Sequence, residues 1–117
     1  MKILGIRFCT VTPEAEALSK FLDSLGLARG AGPQCGPDDA FSGAIFAAGS
    51  SWIEIWQQSA HMRAGVMLQV VVDDADAFAE HARRNGLDPH GPMDAHGERI
   101  YSLNAPSGLQ VSFQSAL

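Results

Sequence analysis

The sequence predicts an α+β domain of two tandem βαβββ modules that form one curved mixed sheet with a concave cleft and the helices outside. Three observations predict it. The first is an internal repeat: Glu14-Ala15-Glu16-Ala17-Leu18-Ser19 lines up with Asp74-Ala75-Asp76-Ala77-Phe78-Ala79, and Gly26-Leu27 with Gly86-Leu87, both at an offset of 60. The second is the order of elements, which restarts after the midpoint as strand, helix and about three strands. The third is strand polarity, with one apolar face for the helices and one mixed polar and aromatic face. A single half of this size would bury too little surface to stand alone, so the halves are expected to act together. The whole chain, 1–117, reads as one domain, with module one at about 1–58, a linker at about 59–65 and module two at about 66–117.

Residues 3–11 read as a strand. Thr12-Pro13 then signals a helix start, with Thr as N-cap and Pro at the first helical position. Leu18, Phe21, Leu22 and Leu25 recur at helical spacing on one face, and Gly26 stops the helix. Residues 28–39, rich in Gly, Pro and Asp, read as loop or a short irregular strand. Ala40–Ala48 and Ser51–Gln57 read as strands around a Gly49-Ser50 turn. In the second half Val66–Val72 is a β-rich run. Asp73 is expected to cap a helix with Phe78 and Ala82 on its apolar side, ended by Asn85-Gly86. Leu87–Met93 is short and interrupted by Pro. Arg99–Leu103 and Leu109–Gln114 are strands joined by the turn sequence Asn-Ala-Pro-Ser-Gly.

The most informative stretch is Ser51-Trp52-Ile53-Glu54-Ile55-Trp56-Gln57. Successive strand side chains face opposite sides, so Ile53 and Ile55 share one face and Trp52, Glu54 and Trp56 the other. Two rings around one carboxylate make a poor core face and a good ligand face. Through the repeat, Arg7 corresponds to Met67 and Cys9 to Gln69. In the last strand, Gln110, Ser112 and Gln114 face away from the apolar side. The inner surface so assembled holds Arg7, Cys9, Trp52, Glu54, Trp56, Met67, Gln69, Gln110, Ser112 and Gln114. A few polar groups among rings in a concavity is the usual make-up of a small-molecule site. Glu54 reads either as a structural or ligand-pairing carboxylate or as a general base.

The paired modules resemble the vicinal oxygen chelate superfamily of glyoxalases, bleomycin-resistance proteins and extradiol dioxygenases. The resemblance rests on Val71-Val72-Asp73-Asp74-Ala75-Asp76-Ala77 with the helix to Gly86, and on Gly97-Glu98-Arg99-Ile100-Tyr101 followed by Ala105-Pro106-Ser107-Gly108. The last of these is similar to the family's turn before its final strand, with Ala105 and Ser107 in place of two Asp residues. Metal-dependent members place ligands on the first and last strands of each module. The resemblance carries these positions onto Arg7 (or Ile6, one residue out of register), Glu54, Met67 and Ser112. Only Glu54 is an ordinary ligand for a hard or borderline divalent ion. The expectation is therefore no metal and no cofactor, with an Arg7–Glu54 ion pair in the place of the metal. The resemblance is to metal-free, bleomycin-resistance-like members, and it implies a homodimer.

Composition narrows the function classes. Lys and Arg total 8 against 13 Asp and Glu, a net charge of −5 without a basic block, which argues against nucleic acid. No apolar run reaches the roughly 18 residues of a membrane span, and Met1-Lys2-Ile3-Leu4 lacks the form of a signal peptide. Cys9 and Cys35 show no metal spacing and read as reduced thiols of a cytoplasmic protein. The expected function is metal-independent binding of a small aromatic or cationic organic molecule. Trp52 and Trp56 would stack on it, Glu54 would pair with it, and Arg7, Gln69, Tyr101, Gln110 and Ser112 would complete the set. The alternative is a lyase, isomerase or oxygenase of the same superfamily, for which the sequence identifies no catalytic residue.

Overall fold

The computed structural model describes residues 1–30 and 41–117. It is α+β, and the element order is that of two βαβββ modules: β1 (Ile3–Thr12), α1 (Ala15–Leu25), β2 (Ala28–Arg29), β3 (Gly43–Ala48) and β4 (Ser51–Gln57), then β5 (Gly65–Val72), α2 (Ala75–Arg84), β6 (His90–Ala95), β7 (Glu98–Asn104) and β8 (Gln110–Ala116). The chain divides into two compact units. One is Arg7–Val66, and the other is Met1–Ile6 with Met67–Leu117. Among the described residues no helix is long and apolar enough to cross a membrane.

In the Arg7–Val66 unit the strands lie in the order β2-β3-β4-β1. β4 pairs antiparallel with β3 and parallel with β1. Helix α1 packs on the face carrying Ile53 and Ile55, and the core gathers Ala15, Ala44, Phe46 and Ile55 with Leu18, Leu22, Leu27 and Phe41 around it. Ala15 and Ser19 are the fully buried helix positions, so small side chains bring the helix close to the sheet. The buried Ser19 hydroxyl donates to the Ala15 carbonyl at 2.8 Å, which satisfies it within the helix.

Two expectations for this unit are corrected. Phe21 and Leu25 are 61 % and 65 % exposed, because the core stripe runs through Ala15, Leu18, Ser19 and Leu22. Thr12 ends β1 rather than capping α1. Its hydroxyl accepts the Glu14 N–H at 3.2 Å across a Pro13-Glu14 turn, and the helix begins at Ala15 without a side-chain cap. The stretch 28–39, read as loop or a short irregular strand, begins with the short β2, and residues 31–39 lie outside the described residues. So does Ala40, the expected start of β3.

In the other unit the order is β5-β8-β7-β6, with β5 and β8 parallel and β7 antiparallel to β8. Helix α2 buries Ala75, Ala79 and Ala82, and the first two pack with Val72, Tyr101 and Phe113. Its N-cap is Asp74, whose carboxylate accepts the Ala77 N–H at 3.1 Å. Asp73, the expected cap, instead exchanges bonds with Lys2. Its carboxylate accepts the Lys2 N–H at 2.9 Å and its own N–H donates to the Lys2 carbonyl at 3.0 Å. The segment 87–93, read as short and irregular, contains most of β6, whose register with β7 shifts between His90 and Met93.

Candidate functional site

The parallel pairing of β1 with β4 sets Arg7 opposite Trp52, Cys9 opposite Glu54 and Val11 opposite Trp56. With Ile53 and Ile55 committed to the core, Trp52, Glu54 and Trp56 emerge on the other face. Arg7, and not Ile6, shares that face. Its guanidinium lies 4.2 Å over the Trp52 ring, and its Nε approaches Glu54 Oε2 at 3.9 Å.

Glu54 organises the group. The Trp52 indole N–H donates to Oε2 at 2.8 Å, and the Trp56 indole N–H donates to Oε1 at 3.2 Å. Each carboxylate oxygen thus holds one ring. The side chains of Arg7 and Glu54 are only 16 % and 15 % exposed. Two unit charges about 4 Å apart attract by roughly 4 kcal/mol at an effective dielectric constant of 20. Desolvation costs several kcal/mol per ion, so the ion pair alone would do little more than break even. The two indole donors add hydrogen bonds that order the carboxylate.

Trp56 is seated by a glycine. Gly43 faces it across the β3–β4 ladder, and a Cβ at Gly43 would lie 2.4 Å from Trp56 Cε3 and 2.8 Å from the Ile55 carbonyl oxygen. The Cε3 and Cζ3 atoms of the ring therefore lie where a side chain at Gly43 would project, and only glycine leaves room.

Cys9 lies partly buried beside Glu54. Burial first, and the Glu54 carboxylate second, push its thiol up from about 9 to about 11. The neutral thiol is a poor nucleophile. In a Cys35→Ser background, alkylation of Cys9 should be slow at pH 8 and rise about tenfold per pH unit until about 11. A plateau near 9.0, the ordinary thiol value, would contradict that environment. Between those values the folded chain keeps a proton that the unfolded chain loses, so stability should fall as pH rises from about 9 to about 11.

The equivalent face of the other unit has different chemistry. There Met67 pairs with Gln110, Gln69 with Ser112 and Val71 with Gln114, the same register that relates Arg7 to Trp52, Cys9 to Glu54 and Val11 to Trp56. The Ser112 hydroxyl donates to Gln114 Oε1 at 2.9 Å, and Gln114 Nε2 donates to Gln69 Oε1 at 3.4 Å. Gln69 Nε2 lies 3.6 Å from the Met67 sulfur. Ser112 and Gln114 are buried, whereas Gln110 is exposed and donates to Asn104 Oδ1 at 2.7 Å.

Tyr101 does not belong to this face. It is 4 % exposed in the core beneath α2, its ring stacks on Phe113 at 5.3 Å, and its hydroxyl donates to Asp76. Its pairing with Phe113 sets it on the helix side. Arg99 is held by Asp94 through Nε at 3.0 Å and by Asp76 through Nη1 at 3.0 Å. The Tyr101 hydroxyl and then Arg99 hold the Asp76 carboxyl below the usual range. This network joins α2 to β6 and β7. The sequence reading missed it because its members lie far apart in the chain.

The residues do not fit the superfamily's metal. The resemblance would put Arg7, Met67 and Ser112 at three of the four ligand positions, and the carboxylate at the fourth already accepts two indole N–H groups beside a guanidinium. No group of three or more His, Cys, Asp or Glu suited to a metal ion occurs among the described residues.

Solved structures share this architecture. A hypothetical protein from Bacillus halodurans C-125 matches with a TM-score of 0.69 at 20 % identity, over 99 % of this chain and 94 % of its own. A methylmalonyl-CoA epimerase matches with a TM-score of 0.70 at 17 % identity, over 98 % and 97 %. The methylmalonyl-CoA epimerase from Mycobacterium tuberculosis matches at 0.66 and 16 %, over 98 % and 87 %. The chain has the vicinal oxygen chelate fold, the fold of methylmalonyl-CoA epimerase. At such identities the likeness concerns the fold and not the reaction. No family model matches the chain, and no curated protein matches it in sequence.

Proposed function

We propose that this protein binds a small aromatic or cationic organic molecule against Trp52 and Trp56 without a metal, in the manner of bleomycin-resistance-type sequestration. The observation that carries the reading is the pair of half-buried indoles held by one carboxylate. Rings fixed in this way lose little freedom when a flat molecule stacks on them, so more of each contact is kept as affinity. The same reading takes the protein as a cytoplasmic homodimer. The exposed apolar side chains Leu4, Ile6 and Phe8 along β1 support self-association, which sedimentation equilibrium checks.

The test uses the composition of the chain. Trp52 and Trp56 are the only tryptophans, so a nitrogen-15-labelled sample gives two indole N–H signals, both from this face. Small aromatic compounds that bind should shift both signals. Trp52→Ala and Trp56→Ala should each weaken binding by up to about tenfold, the value of one ring contact of about 0.5–1.5 kcal/mol. Chelator should leave the affinity unchanged. Binding abolished by chelator and restored by one divalent ion would overturn the reading.

The enzymatic reading is favoured by one observation, the recurrence of methylmalonyl-CoA epimerase among solved structures with this fold. It requires a group that exchanges protons with substrate or a metal that polarises it, and neither is assigned among the residues above.

A further inference from the structure

The Trp52–Glu54–Trp56 face presents a carboxylate between two rings, a composition that by itself suits an organic cation. The geometry points the other way. Both oxygens of Glu54 accept indole N–H groups, and Arg7 Nε lies 3.9 Å from Oε2. The Arg7 guanidinium also lies 4.2 Å over the Trp52 ring, so the position a stacked cation would take is held by a resident one. A second cation there would face Arg7 at short range in a partly desolvated setting, and Glu54 would not be left to offset it. The other unit carries Met67 at the position equivalent to Arg7, where a like charge is absent.

We infer that Arg7 is the specificity-determining residue of this face: it excludes organic cations and leaves uncharged planar aromatic molecules as the ligand class. The inference rests on the binding reading above and narrows it. Arg7 acts as an internal cation that occupies both the carboxylate and one ring face. Removing its charge while keeping a polar side chain should convert the face into one that accepts cations.

The experiment compares two probes of nearly the same shape, quinoline, uncharged near neutral pH, and N-methylquinolinium. Binding is followed through the two indole N–H signals of the full chain. The wild type should favour quinoline, and Arg7→Gln should shift the ratio toward the cation by about tenfold, as expected for one partly desolvated charge contact. Arg7→Lys keeps the charge and should keep the wild-type preference. It also answers the case in which Arg7→Gln fails to fold. A wild type that prefers N-methylquinolinium, an unchanged ratio in Arg7→Gln, or a preference for the cation in Arg7→Lys would overturn the inference while leaving the binding reading intact. If neither probe moves the indole signals of the wild type at millimolar concentration, the binding reading itself falls, and the inference with it.

Discussion

Glu54→Ala should cost about 3 kcal/mol of stability, because it strands two indole N–H groups and removes the carboxylate beside Arg7. The side chains of Arg7 and Glu54 are mostly buried, and the Glu54 carboxylate accepts both indole N–H groups. For a chain of 117 residues that loss corresponds to a fall in Tm of roughly 10 °C. Both indole N–H signals should move upfield as their charged acceptor disappears. Glu54→Gln keeps one carbonyl oxygen and should lose about half as much, with one indole signal retained near its original position. Replacing both ions, Arg7→Met with Glu54→Met, should recover part of the loss, since removing a partly buried pair is milder than orphaning one member. Urea unfolding checks all three. Glu54→Ala within about 0.5 kcal/mol of the wild type, with unmoved indole signals, would show that the carboxylate does not hold the rings.

Gly43→Ala should cost about 2–3 kcal/mol and displace Trp56. The added Cβ meets the Trp56 ring at 2.4 Å and the Ile55 carbonyl oxygen at 2.8 Å. The ring can swing away, but the carbonyl belongs to the β3–β4 ladder and cannot. The Trp56 indole signal should therefore shift while that of Trp52 changes less, and tryptophan emission should report a wetter environment. Gly65→Ala is the matched control, because nothing lies within 4 Å of its added Cβ. It should be neutral within about 0.5 kcal/mol. Equal and small effects at both positions would mean that Trp56 is not seated on β3 as described.

Much of the architecture was legible in the chain. The repeat at an offset of 60 placed α1 against α2 and β1 against β5, and the observed pairings keep that correspondence down to single residues. Ser51–Gln57 was legible at its full length because its alternation is strict and both ends carry turn residues. The Arg7–Glu54 approach followed from the resemblance, which sets the first and last strands of a module side by side, and the 3.9 Å separation agrees with it. Tyr101 was misplaced for an equally physical reason. In Arg99-Ile100-Tyr101-Ser102-Leu103 both faces mix polar and apolar residues, so alternation alone cannot say which one the helix covers. The helix N-caps slipped by two residues and by one, since several Thr, Asp and Glu side chains near each start compete for the same N–H groups.

Local periodicity, at two residues for strands and 3.6 for helices, was thus sufficient for the α+β class, the two modules and the shared face of Trp52, Glu54 and Trp56. What became of that face was a tertiary matter. Strand pairing brings Arg7 beside Glu54, the ladder lays Trp56 on Gly43, and the two indoles turn their N–H groups to the same carboxylate. These are contacts between residues tens of positions apart, or between side-chain rotamers, and neither leaves a periodic trace in the sequence. A motif that reads as an open anionic site between two rings is, once folded, a neutralised and hydrogen-bonded cluster, because charge in a partly desolvated strand face must find its partners within the protein.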